Sequence, residues 1–109
     1  MYVLIVYVPA THVEQVKEAL FAAGAGSIPP YQDCSWQVAG KGQFRPMKGS
    51  NPFLGEEGKL EYTDEFRVEM VVEDSLVDPV VSALLAAHPY EVPAYHLVPT
   101  LTLEHKEST

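Results

Sequence analysis

A chain of 109 residues, 47% of them hydrophobic, has room for one domain around a single core. Fifteen acids against seven bases leave a net charge of -8, which argues against nonspecific nucleic-acid binding. No apolar run approaches the roughly 20 residues of a membrane span, and the single cysteine, Cys34, excludes an internal disulfide and fits a reducing cytoplasm.

Tyr2 to Val8 is an almost unbroken apolar run, which predicts a strand buried on both faces and stopped by Pro9. Thr11-His12-Val13-Glu14 fits a capping box, with Thr11 accepting from first-turn amides and Glu14 reaching back. Val13, Val16, Leu20 and Ala23 follow at helical spacing, and Gly24-Ala25-Gly26 supplies a left-handed helix stop. A second strand is expected from about Tyr31 to Ala39, with Cys34, Trp36 and Val38 turned to the core and Asp33, Ser35 and Gln37 to water.

From Gly40 to Gly58 no period survives. Five glycines and two prolines there predict a long loop, a feature that in so small a domain is functional or disordered. Glu61 to Glu73 alternates cleanly, with Phe66, Val68, Met70 and Val72 on one face and Glu65, Arg67, Glu69 and Glu73 on the other. Ser75 or Asp78 is expected to cap a second helix whose inward stripe is Leu76, Val80, Ala83, Leu84 and Ala87. A last strand runs from about Ala94 to Leu103, so the domain is 1–103 and residues 104–109 form a polar tail.

Strand, helix, strand, strand, helix, strand with right-handed crossovers predicts an α+β, ferredoxin-like sandwich: a four-stranded antiparallel sheet with both helices on one face. That topology brings His12, the Gly40 to Gly58 loop and the turn after the second helix to one edge of the sheet, although they are far apart in the chain.

The turn in question is His88-Pro89-Tyr90-Glu91-Val92-Pro93. Proline restricts its predecessor to extended backbone, so the helix should stop at or before His88. An imidazole, a phenol and a carboxylate are thereby fixed between two prolines. His88 with Glu91 or His12 could ligate a divalent metal, although no Cys/His or acid-rich spacing supports one; the plainer role for His88 is to cap the negative end of its helix. The same pair is the only acid-base candidate for an enzyme, and no nucleophile or cofactor motif accompanies it. His12 lies at the positive end of the first helix, where a phosphate would be favoured.

Lys41, Arg45, Lys48 and Lys59 form a basic strip on an acidic chain, which points to a small anionic ligand or an acidic partner surface. The glycines around Lys41 do not form a phosphate loop, because the GxxxxGK[ST] pattern is missing and the segment joins two strands. Val3, Tyr7 and Val71 would make the helix-free sheet face too apolar to stay wet, which favours self-association.

Val8-Pro9 with His12, Gly24-Ala25-Gly26, Tyr31 with Cys34-Ser35-Trp36, Gly40-Lys41-Gly42-Gln43-Phe44-Arg45-Pro46 and His88-Pro89-Tyr90-Glu91 occur together and in order. The set resembles the inserted domain of the Nif-three-like (YqfO-type) family, over nearly the whole chain from about Tyr2 to Pro99. The resemblance implies a domain similar to CutA and PII proteins, which assemble as trimers with clefts between subunits. The larger family members carry a two-metal site whose ligands lie in flanking halves, so no metal residue or hydrolase activity carries over to the residues here. Pro29-Pro30 and Val92 depart from the family pattern, the latter standing where a second acid commonly follows Glu91.

Together these readings predict a cytoplasmic, non-enzymatic homotrimer that binds a ligand or a partner loop. The expected binding residues are His12, Gly40, Lys41, Gly42, Phe44, Arg45, Pro46, His88, Pro89, Tyr90 and Glu91. A divalent-metal site built from His12, His88 and Glu91 is the alternative.

Overall fold

The opening apolar run forms β1 (Tyr2–Pro9), and its side chains split between two environments in the computed structural model, which describes residues 1–101. Leu4, Val6 and Val8 are fully buried, while Val3, Ile5 and Tyr7 on the opposite face are only partly so. The expectation of burial on both faces therefore fails for the single chain, because helices cover one face only. The remaining elements are α1 (Val13–Ala22), β2 (Trp36–Phe44), β3 (Glu61–Val72), α2 (Val77–Ala87) and β4 (Tyr95–Pro99).

All neighbouring strands are antiparallel, in the order β2-β3-β1-β4, which is the ferredoxin-like arrangement. The core lies between this sheet and both helices. Val13, Val16 and Leu20 of α1 and Val80 and Leu84 of α2 meet Leu4, Val6, Val8, Val68, Met70 and Val72. Leu4, Leu20 and Leu84 have no exposed surface, so truncating any of them to alanine removes about 2–5 kcal/mol of stability.

Neither helix uses the predicted cap. A short 3-10 turn, Ala10–His12, leads into α1, and Thr11 Oγ1 is 2.8 Å from His12 Nδ1 instead of holding a first-turn amide. Another 3-10 turn, Asp74–Leu76, precedes α2, where neither Ser75 nor Asp78 caps; Asp74 instead receives the amino group of Met1. In both places the 3-10 turn ties up backbone groups that a side chain would otherwise satisfy.

The second strand starts five residues later than the pattern predicts. Gly26, at φ +76°, donates its N–H to the Val71 carbonyl at 2.8 Å and accepts from Cys34 N–H at 2.8 Å. A Cβ there would lie 2.7 Å from the Cys34 carbonyl oxygen, so only glycine permits this pin, and it holds the residues before Trp36 out of the sheet. The strand then runs on through Gly40 and Gly42 to Phe44, which corrects the predicted loop: residues 40–44 pair with Glu61–Glu65, and the loop proper spans 45–60. Its face is inverted as well. Gln37 packs toward α1, with the Lys17 ammonium 3.0 Å from its side-chain oxygen, whereas Trp36 (58% exposed) and Val38 lie on the uncovered face.

Register gives the sheet its working shape. The end of β1 at Pro9 lies opposite Glu65, so Lys41–Phe44 and Glu61–Asp64 continue past it as a two-stranded ribbon. Loop 45–60 sits at the tip of that ribbon. The last residues of the predicted final strand and the predicted tail 104–109 lie outside the described residues. No helix among the described residues is long and apolar enough to cross a membrane.

Candidate functional site

Proline at position 89 stops α2 where the sequence requires it. His88 is the C-terminal cap, its backbone extended at φ -72°, ψ 133°, and its N–H still donates to Leu84 at 2.9 Å. The ring then turns inward and is 5% exposed. Its Nδ1 accepts from the Tyr90 N–H at 3.1 Å, which places the proton on Nε2, and Nε2–H donates to the Tyr7 carbonyl at 2.7 Å. Burial holds its pKa below the ordinary imidazole value, and the nearby His12 adds to that effect, against the Tyr7 carbonyl and Glu65. His88 is thus a neutral strut that joins the helix end to β1 and to the turn. Both ring nitrogens are in use, so ligating a metal would require giving up one of these bonds.

With His88 fixed, Tyr90 is aimed across the sheet edge. Its Oη–H donates to Glu65 Oε2 at 2.6 Å, bridging the turn to β3. Burial first, then the bond to Glu65 and the charge of that carboxylate, push the phenol pKa well above its usual value, so Tyr90 stays a donor. The Tyr90 ring lies 4.8 Å from the His88 ring, 6.2 Å from Phe44 and 6.3 Å from Phe53, centroid to centroid. Such tilted ring pairs within 7 Å are favourable beyond the area they bury.

Loop 45–60 closes over this cluster. Asn51 N–H donates to Glu91 Oε1 at 3.0 Å, and Gly58 N–H donates to the Pro46 carbonyl at 2.7 Å, tying the loop's two ends together. Phe53 meets His12 edge-on at 5.3 Å. The predicted convergence is therefore present in the geometry: the entry to α1, the ribbon loop and the turn after α2 meet at one edge of the sheet. Between the ribbon loop, the turn and the end of β1 is a cavity of about 480 Å³, within the size range of small-molecule sites.

Of the residues expected to bind, Lys41, Gly42, Phe44, Pro46, Tyr90 and Glu91 line the cavity. His12 stands behind Phe53, and His88 lies beneath Tyr90; neither is part of the wall, nor are Gly40, Arg45 and Pro89. The basic strip does not gather on the cavity either. Arg45 and Lys48 are exposed outside it, and the Lys41 ammonium is 2.6 Å from the Asp64 carboxylate. Among the described residues no group of three His, Cys, Asp or Glu side chains is arranged to hold a metal ion.

Sequence reasoning missed Tyr7, Phe53, Leu54 and Glu65, all of which contribute to the wall. Phe53-Leu54 was visible as an apolar pair inside a polar loop. Glu65 could not be found without the strand register, because its role depends on Gly42 in the neighbouring strand. A Cβ on Gly42 would lie 2.2 Å from Glu65 Oε1, so the missing side chain makes the space in which this carboxylate sits.

No model of a protein family matches the sequence. Relatives named GTP cyclohydrolase 1 type 2 homolog do: that of Halalkalibacterium halodurans is 46% identical over 99 residues, 91% of this chain and 27% of the relative. The Mycobacterium leprae protein of the same name is 47% identical over 85% of this chain and 24% of its own length. The chain thus spans about a quarter of the length of the curated relatives it matches. Among solved structures, a Bacillus cereus protein related to NIF3 superposes with a TM-score of 0.78 at 39% identity, over 91% of this chain and 25% of that one. CutA1 from Pyrococcus horikoshii superposes with a TM-score of 0.68 at 17% identity, covering 95% of this chain and 87% of its own, a likeness of fold. This chain belongs with the NIF3-related proteins, as the counterpart of one CutA-like segment of them.

Proposed function

We propose that the protein is a binding module without chemistry of its own, that it works as a homo-oligomer of three subunits, and that its ligand enters the cavity at the ribbon's base. One observation carries the reading. The ribbon with its loop and the turn after α2, distant in the chain, close a cavity of about 480 Å³ together with Tyr7 of β1, and its wall residues are held by bonds that do nothing for the core: Tyr90 to Glu65 and Asn51 to Glu91. A turn that only reversed the chain would need no such supports. The ligand is a small molecule or the tip of a partner loop.

Self-association is supported by the sheet face that the helices leave open. Pairing aligns Trp36, Glu69, Ile5 and His96 in one row across it, and Val71, Val3 and Val98 in another. Trp36 and Val98 are 58% and 43% exposed there, and an apolar sheet face of this kind is unusual on a lone subunit. The cyclohydrolase in the relatives' name is not transferred, since the match covers only about a quarter of their length.

Native mass spectrometry of the purified protein tests both halves. The expected result is a trimer mass with a retained small molecule, which Tyr90→Ala loses while the subunit number stays at three. A monomer, or an adduct indifferent to Tyr90→Ala, overturns the corresponding half. Trp36→Glu is expected to shift the trimer toward monomer by placing a charge on the open face.

A further inference from the structure

The wall of the cavity says more about the occupant than its volume does. Its charges are those of Glu65, Glu91 and Lys41, and only the lysine is neutralised, by Asp64 at 2.6 Å. Neither glutamate is in an ion pair among the described residues. Glu65 uses Oε2 for the Tyr90 hydroxyl, while Oε1, above the gap left by Gly42, accepts no hydrogen bond among the described residues. The rest of the wall is aromatic and aliphatic, with Phe44, Phe53 and Tyr90 grouped at centroid separations of 6.2 and 6.3 Å. Aromatic faces attract cations through the ring quadrupole, and carboxylates repel anions, so both features select the same sign of charge. The predicted anionic ligand would meet two carboxylates and no free cation on this wall.

We propose that this cavity binds a small organic cation, an alkylated ammonium, seated among Phe44, Phe53 and Tyr90 with its charge toward Glu65 and Glu91. The proposal rests on the reading of the cavity as a ligand site and adds the chemical class. Phe53 is the adaptable side of the cage, since it belongs to loop 45–60, is 46% exposed and meets the rings of His12 and Tyr90. Glu65 is the fixed side, locked through Tyr90 to the turn.

The test titrates the full chain with choline, with its neutral isostere 3,3-dimethylbutanol, and with inorganic pyrophosphate, following backbone amide shifts of Gly42, Phe53, Tyr90 and Glu91 by NMR. Choline is expected to move these amides with an affinity about tenfold above the isostere, and pyrophosphate to leave them unmoved. Glu65→Gln, which keeps an acceptor for the Tyr90 hydroxyl, should weaken choline about tenfold. Phe53→Leu, which keeps an apolar side chain but no ring, should weaken it severalfold. If the isostere or pyrophosphate binds at these amides as well as choline does, the site stands and the cationic class falls. If none of the three probes moves them, the proposal falls together with the binding reading beneath it. Circular dichroism of each variant, matched to wild type, separates lost binding from lost fold.

Discussion

Gly42→Ala isolates the device on which the site depends. The glycine is an edge-strand residue opposite Thr63 whose backbone is not in the left-handed region, so alanine brings no conformational strain there. What it brings is a methyl group 2.2 Å from Glu65 Oε1 and 2.4 Å from its Cδ. These atoms end a flexible side chain, so the carboxylate swings away, and the cost is its bond with the Tyr90 hydroxyl at 2.6 Å. A hydrogen bond to a charged group contributes about 1.5–3 kcal/mol, and replacing glycine by alanine returns about 0.4–1 kcal/mol through the unfolded chain. The net loss is about 0.5–2.5 kcal/mol, or roughly 2–20 °C in melting temperature for a domain of this size.

Because that stability window is wide, the sharper readout is Tyr90 itself. Its phenol is raised by burial and, after that, by Glu65, so in Gly42→Ala its titration followed at 295 nm should move back toward the ordinary phenol value. A double-mutant cycle completes the argument: in a Glu65→Ala background, where no carboxylate remains to be displaced, Gly42→Ala should cost nothing. Equal destabilisation with and without Glu65, or an unmoved Tyr90 titration, refutes the reasoning.

His88→Ala strands the Tyr7 carbonyl and the Tyr90 amide and should lower unfolding free energy by about 2–4 kcal/mol in urea melts. The native His88 pKa lies below the ordinary 6.5, so the unfolded chain takes up a proton before the native one does. The contribution is complete above about 6.5 and is lost as pH falls from there through the native value; a wild-type slope between pH 7 and 5 no steeper than that of His88→Asn contradicts it. Lys41→Ala breaks an ion pair whose two side chains are both about three-quarters exposed and should change stability by less than about 1 kcal/mol. Glu91→Ala frees the Asn51 amide, and hydrogen exchange across residues 45–60 should quicken about five- to tenfold, with the core strands unaffected.

Element order and the meeting of three distant segments were legible because they depend on period and chain direction. The pattern of Phe66, Val68, Met70 and Val72 has one strand solution, Pro89 ends α2 wherever it stands, and a ferredoxin-like topology then brings its three loops to one edge. What could not be read was which face of β2 meets water. Cys34, Trp36 and Val38 look like a buried stripe, yet the pin at Gly26 keeps Cys34 out of the strand and the pairing of Gln37 with Val68 turns Trp36 and Val38 the other way. Hydrophobicity misleads there because the uncovered face is itself apolar; composition marks a surface to be covered without saying by what.

The meeting of the loops was legible in the sequence; the placement of charge around the cavity was not. The basic residues of the Gly40 to Gly58 stretch suggested an anion, but sequence distance is a poor guide to where a side chain lies on a ribbon. Lys41 lines the cavity but is answered by Asp64 across the pair, Arg45 and Lys48 fall outside it, and the carboxylates on its wall come from β3 and the turn. Gly42 shows why. A glycine read as loop punctuation is, in the folded sheet, the space that lets a carboxylate from the next strand reach a phenol from the far end of the chain, and that space exists only once register is set.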